Sequence, residues 1–344
     1  MDAGRRQLLS LAAAASAWQL TRGAQAATVG KLPRVTVALA ARHSLYHLPL
    51  TLAEQLGFFR QSGLAVEFMA HDAGAQAMTS LVSGKADVVA GAFEHVFNPA
   101  YQHHKHQAFV LMGRSPQVSL GVSTRLPKWK SLTELKGARV GVTSLGSSTH
   151  TMASHWLLLH GLLPEDVQFV EVGSSSGVWD ALRSGSIDAL CNPDPIMHWL
   201  EMKNEVLLVG EARSLAGTQK VMGAPVPGAS LIAREDFLQH QPEWAQALSD
   251  GVVHALKWLQ TAGPTDLFRH VPAAYWMNDR AAYLGAFEKL RESYAIDGVV
   301  EEDSVLNLWR AQARLTGRLQ TSRVLLARTF NNTFALRSKK HFKA

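Results

Sequence analysis

Gly146-Ser147-Ser148-Thr149-His150 is a run of small and hydroxylated residues placed where a short apolar segment gives way to a helical one. A helix N-terminus leaves backbone N–H groups unpaired and carries the positive end of the helix dipole, so it favours an anion. Gly146 permits close approach, the hydroxyls of Ser147, Ser148 and Thr149 add donors, and His150 closes the segment. The same residues also read as an ordinary Ser/Thr helix cap, and the two roles are compatible. Three further loops, 41–48, 72–76 and 173–177, have the same strand-to-helix character. They offer His43, Ser44, Tyr46 and His47, then Gln76, then Ser175 as candidate contacts. Ser44 supplies a hydroxyl and Tyr46 an apolar wall with a polar tip. For His43 and His47 an exposed loop position is as open as a place in a site. Phe93-Glu94-His95 follows an apolar stretch directly and is placed either to close the back of a cleft or to start a surface helix.

These loops need alternating strands and helices to hold them. Residues 34–40, 65–69 and 86–90 read as strands, with helices starting at Pro49 and spanning 75–83 between them. Strands over 109–113 and 119–123 follow. The logic then repeats, with strands at 139–142, 167–172 and 187–190 and helices at 149–160 and 177–184. LVSGKAD (81–87) and LRSGSID (182–188) mark the same helix–Gly turn–strand unit in each half. β–α–β alternation predicts parallel sheets covered by helices, with ligands at the carboxyl ends of the strands. A return crossing is expected over 227–233. From Pro242 onward the pattern is helical, with Trp244, Leu248, Val252, Leu256 and Leu259 forming one core stripe. Further helices are expected at 279–294 and 303–319.

LPLTLAEQLGFFRQSGLAVEF (48–68) and SGKADVVAGAF (83–93) resemble the opening of substrate-binding proteins of the nitrate/sulfonate/taurine class of ABC importers. The resemblance continues through LTELKGARVGVTSLGSSTH (132–150) and VGSSSGVWDALRSGSIDAL (172–190). It implies an α/β, two-lobed periplasmic binding protein fold (type II), with parallel-sheet lobes and a helical C-terminal extension. Lobe I would comprise 33–115 plus 230–336, and lobe II 116–229. It also implies that the segment 146–150 grips an anionic head and that the loop 42–47 lines the cleft. Asn192-Pro193-Asp194-Pro195 resembles the family's cleft-floor segment, where Asp194 serves as a helix cap or a contact. The implied partners are a small anionic organic solute and an ABC permease in the inner membrane, with no cofactor and no metal. Sulfonate, taurine-like, nitrate and aromatic carboxylate solutes fit the class. No Arg lies in the 146–150 loop, so charge compensation is expected from helix dipoles, Arg42 or Arg114.

At the N-terminus, Arg5-Arg6, an Ala-rich apolar run and Ala24-Gln25-Ala26 read as an export signal over 1–26, using the Sec or twin-arginine route to a periplasm. The lone Cys191 cannot form an internal disulfide. Hydrophobic residues make up 47%, enough for a large core. The formal charge of +6 resides in the signal and in a basic stretch, 337–344, expected to be a flexible tail. The body is near neutral, which argues against nucleic-acid binding, and a monomer is expected. The alternative is an enzyme on the same fold, desulfinase-like or pyrimidine-precursor synthase-like. The first needs a cysteine in the loop after the first strand and the second a Cys-rich motif, and neither is present. His103-His104 with His106 reads as a surface cluster.

Overall fold

Ten strands build two five-stranded sheets in a computed structural model of the chain, which describes residues 32–101, 105–125, 131–175, 177–316 and 326–344. The expected signal and the pair His103-His104 lie outside the described residues. The chain runs through β1 (Arg34–Ala40), β2 (Ala65–His71), β3 (Val88–Ala92) and β4 (His106–Leu111). It crosses into β5 (Val118–Ser123), β6 (Arg139–Val142), β7 (Gln168–Glu171), β8 (Ala189–Pro193) and β9 (Val206–Glu211), then returns as β10 (Ala229–Arg234). The strand orders are β2-β1-β3-β10-β4 and β7-β6-β8-β5-β9.

The sheets depart from the expected all-parallel lobes by one strand each. β10 runs antiparallel between β3 and β4, and β5 runs antiparallel between β8 and β9. Both are the strands that enter after a crossing. Each starts at the end of its new sheet that faces the other half, where its neighbours stop, so it must run against them.

The repeated SGxxD units do the same work in both halves. Asp87 accepts the Thr36 N–H at 2.8 Å, and Asp188 accepts the Arg139 N–H at 2.7 Å. Each carboxylate thus fastens the first strand of its own β–α–β array, and Asp188 also pairs with the Arg139 guanidinium. Gly84 and Gly185 hold φ of +74° and +72°, a left-handed turn open to glycine without cost.

The helix beginning at Pro49 spans Leu48–Gln55 and is separated from a second piece, Phe58–Gln61, by Gly57. The helix Pro242–Thr261 buries Leu248, Val252, Leu256 and Leu259 as its spacing predicts. Gly251 sits on the same helix because a Cβ there would lie 2.4 Å from the Phe59 ring.

The C-terminal stretch differs from the expected flexible tail. Thr333–Phe342 is a helix that buries Phe334, Ala335 and Ser338. The Ser338 hydroxyl donates to Asp250 at 2.6 Å, and the Lys339 ammonium pairs with Asp297. Its charges occupy the outer face of an amphipathic helix, a pattern masked by the basic composition. Among the described residues, no helix is long and apolar enough to cross a membrane.

Candidate ligand-binding site

A cavity of about 50 Å³ lies between the two sheets, lined from both halves. β1 leads to Ala41, Ser44, Tyr46 and His47, β2 to Gly74, and β3 to His95. On the other side β6 leads to Thr143, Ser148 and Thr149, β7 to Ser174, and β8 ends at Pro193. Nearly every contributor follows the carboxyl end of a strand, as expected for such sheets. Ala41 turns the first loop inward with φ of +45°, a left-handed conformation costly for a residue with a Cβ.

Hydrogen bonds clasp the two halves around this space. The Ser44 hydroxyl and the Leu45 N–H both donate to the Asp194 carbonyl, each at 3.0 Å. The Ser174 hydroxyl donates to the Asp72 carbonyl at 2.8 Å, and the Ala75 N–H donates to Ser147 Oγ at 3.2 Å. The His43 ring, half-buried at the rim, bonds the backbone of Ser174.

The hydroxyl loop is largely engaged within the protein. Thr149 Oγ1 accepts the Thr143 N–H at 3.0 Å and lies 2.8 Å from the Thr143 hydroxyl. Ser147 Oγ, besides its bond to Ala75, lies 2.8 Å from Ser144 Oγ and makes no cap bond to its own helix. The Gly146 N–H donates to His150 Nδ1 at 3.2 Å. Among the described residues lining the cavity, the Ser148 and Tyr46 hydroxyls have no protein partner.

Burial governs the ionisable groups. It lowers His47 to about 3, against an opposing bond from the ring to the Ala40 backbone, and lowers His95 to about 4. Both rings are therefore neutral at pH 7. The His95 ring fits because Gly74 has no Cβ; one would lie 3.2 Å from its Nε2. Glu94 stands beside Tyr46 and bonds Thr151 across the cleft, and burial raises it to about 7. Cys191 is buried, and its thiol is pushed up, so it stays protonated.

The NMT1-like family model matches residues 30–269. The chain belongs to the NMT1-like family. A solved structure from Bordetella bronchiseptica RB50 is 36% identical, covers 91% of this chain and 99% of its own, and superposes with a TM-score of 0.87. The alkanesulfonate-binding protein SsuA from Xanthomonas axonopodis pv. citri, bound to MOPS, is 15% identical with a TM-score of 0.66, over 89% of this chain and 100% of SsuA. YtlA of Bacillus subtilis (strain 168) is 21% identical over 276 residues, 79% of this chain and 80% of YtlA. The NMT1-like chain therefore has the two-lobed periplasmic binding protein fold that its motifs suggest.

Of the expected contacts, this NMT1-like protein brings Ser44, Tyr46, His95, Ser148 and Thr149 to the cavity, and His47 joins them. Ser147 and His43 clasp the rim, and Glu94 stands behind Tyr46. Six of the expected residues lie elsewhere. Phe93 packs in the core against Phe97, with ring centroids 5.9 Å apart. Gln76 is exposed and accepts the Asp72 N–H. Gly146 and His150 bond each other outside the cavity. Ser175 points to solvent while its neighbour Ser174 takes the expected place. Asp194 lies beneath the floor, its carboxylate accepting the His198 N–H at 2.8 Å and facing Arg213. Arg42 and Arg114 do not reach the cavity either. Arg42 pairs with Glu54 and lies over the Phe68 ring, and Arg114 donates to the carbonyls of Glu292 and Tyr294. Gly74, Thr143 and Ser174 escaped the sequence because nothing in their local pattern separates them from ordinary loop and strand-end residues, whereas Pro193 lies in the segment 192–195 expected at the cleft floor.

Proposed function

We propose that this protein is an exported solute receptor that closes two lobes over a small polar solute and presents it to a membrane permease. The observation that carries this is the cavity itself. It is walled by both lobes at the carboxyl ends of their strands, and interlobe hydrogen bonds ring it. A solute bridging both walls stabilises the closed state by its differential affinity for that state. The cavity, about 50 Å³ and walled from both lobes, suits a small solute. An anionic head, the class suggested by the resemblance and by SsuA, would meet the Ser148 hydroxyl and the first turn of the Ser148–Leu159 helix. Among the described residues, no Lys or Arg lines the cavity. Catalysis is not part of the proposal: a buried, protonated Cys191 is no nucleophile, and the loop 41–48 has no cysteine.

A thermal-shift screen of small sulfonates, carboxylates, nitrate and amines on the purified protein tests the role. A true solute raises the melting temperature with concentration and is recovered unchanged. A solute that is consumed during incubation would make the protein an enzyme and sink the receptor role.

A further inference from the structure

Several polar side chains in the cavity wall are engaged with the protein itself. Ser44 and Ser174 donate to carbonyls across the cleft, and the hydroxyls of Thr143 and Thr149 bond each other. The Ser148 hydroxyl from one lobe, and the Tyr46 hydroxyl and His47 Nδ1 from the other, line the same space without a partner among the described residues. Tyr46 is 8% exposed and His47 3%, so water does not satisfy them from outside. The His47 ring bonds the Ala40 backbone, and because Nδ1 is unpaired that bond belongs to Nε2. Nε2 donates to the Ala40 carbonyl and holds the proton, which leaves Nδ1 of the neutral ring as a lone pair. The two hydroxyls can donate or accept, whereas Nδ1 can only accept. A buried acceptor of this kind is costly unless something supplies it with a hydrogen.

We propose that His47 is a specificity-determining residue of this cleft, its Nδ1 accepting a hydrogen bond from an N–H or O–H group of the solute. The Tyr46 and Ser148 hydroxyls then serve the solute's acceptor head, and His47 reads the donor beside it. The solute is therefore a small polar molecule that carries both, such as a hydroxy acid, an amino sulfonate or an amide. Anions that only accept, such as nitrate or acetate, leave Nδ1 unpaired. The inference rests on the cleft being the solute site, and it narrows the solute's chemistry. The local geometry supports it. His47 follows β1 in the loop that Ala41 turns inward, and its ring stands edge-on to Tyr46 with centroids 5.1 Å apart. The Tyr46 hydroxyl and the His47 lone pair thus belong to adjoining rings of one wall. A site with a built-in acceptor rejects an analogue lacking the hydrogen far more strongly than an apolar pocket rejects a change of size.

Matched pairs of probes isolate the donor from charge and size. Glycolate and propionate are near-isosteric anions that differ in an O–H group. Acetamide and acetone are near-isosteric neutral molecules that differ in an N–H₂ group. Each is titrated against the purified protein, with binding read by isothermal calorimetry and thermal shift. In at least one pair the donor-bearing member is expected to bind roughly tenfold more tightly or better. His47→Met fills the space without a nitrogen and should erase that preference. Tyr46→Phe should weaken binding while keeping the preference. Should His47→Met fail to fold, NMR of the wild type labelled with ¹⁵N in its histidines reads the contact directly. The His47 Nδ1 resonance should then move upfield with the donor-bearing probe and stay in place with its counterpart. Equal or tighter binding of propionate and acetone overturns the inference. So does a preference that survives His47→Met, an Nδ1 resonance that does not move, or no binding of either donor-bearing probe. The receptor role falls only if the wider solute screen also finds no ligand.

Discussion

The Ser44 hydroxyl donates to the Asp194 carbonyl across the cleft, tying a cavity-lining side chain of one lobe to the backbone of the other. Beneath it the Asp194 carboxylate lies 3.6 Å from Arg213, which is only 4% exposed and also contacts Glu201 at 3.1 Å. Lys289 reaches the same Glu201 at 2.9 Å. The Arg213 carbonyl accepts the hydroxyls of Ser115 and Ser293. One buried residue thereby connects the rim of the cavity to the segments at which the chain crosses between lobes.

Replacing Arg213 with Met leaves Asp194 buried without its cation. Breaking a buried pair in this way costs about 3–5 kcal/mol. Urea unfolding should show that loss for Arg213→Met, and a much smaller one for Arg42→Met, whose pair with Glu54 is partly exposed. Equal losses for the two variants would argue against a special role for the Arg213 network.

The hydroxyl loop separates into two kinds of variant. Thr149→Ala and Ser147→Ala each remove bonds within the protein and should lower stability by about 1 kcal/mol. Ser148→Ala should leave the melting temperature near wild type, because that hydroxyl bonds no protein atom. Its effect should fall on affinity for whichever solute the screen identifies. Melting curves and titrations of the three variants, run side by side, distinguish the groups.

Stability should depend on pH through buried groups of opposite sign. Glu94 titrates near 7 in the folded protein and at 4.5 ordinarily, so the unfolded chain releases this proton first. Its contribution is full below pH 4.5 and is lost as pH rises toward 7, on the order of 3 kcal/mol in total. His47 and His95, at about 3 and 4 against an ordinary 6.5, act in reverse. They favour folding above pH 6.5 and erode it as pH falls through their depressed values. Comparing wild type with Glu94→Gln by chemical denaturation at pH 5, 6 and 7.5 isolates the first effect. A constant difference across that range would mean that Glu94 is not buried as described.

The C-terminal helix makes a further demand. Phe334 is buried and stacks edge-on to Phe109 at 6.0 Å. Truncating such a side chain costs about 3–5 kcal/mol. Phe334→Ala should therefore unfold at clearly lower denaturant, whereas a flexible tail would tolerate the change unnoticed.

Much of the scaffold was legible in local pattern. The strand over 34–40 and the strand over 139–142 have the bounds that alternation and β-branching predict, because their burial depends on residues close in sequence. The paired SGxxD units announced two similar halves for the same reason. Chain direction within each sheet was not legible, since β5 and β10 carry no mark of orientation; it follows from where each crossing delivers the chain. The C-terminal helix was hidden because net charge spoke louder than the spacing of Phe334, Ala335 and Ser338.

By itself the sequence determined the two-lobed α/β plan, the loops that form the cleft and several of its wall residues, including Ser44, Tyr46, His95 and Ser148. Those follow from strand-to-helix succession, which is local. Only the tertiary structure decided which hydroxyls remain open, which arginines are drawn away and where Glu94 stands. A hydrogen bond such as Ser147 to Ala75, or an ion pair such as Arg42 with Glu54, depends on distances set by packing. Residue types state what a side chain can bond to; the fold determines which of those bonds the protein makes with itself and which it leaves for a solute.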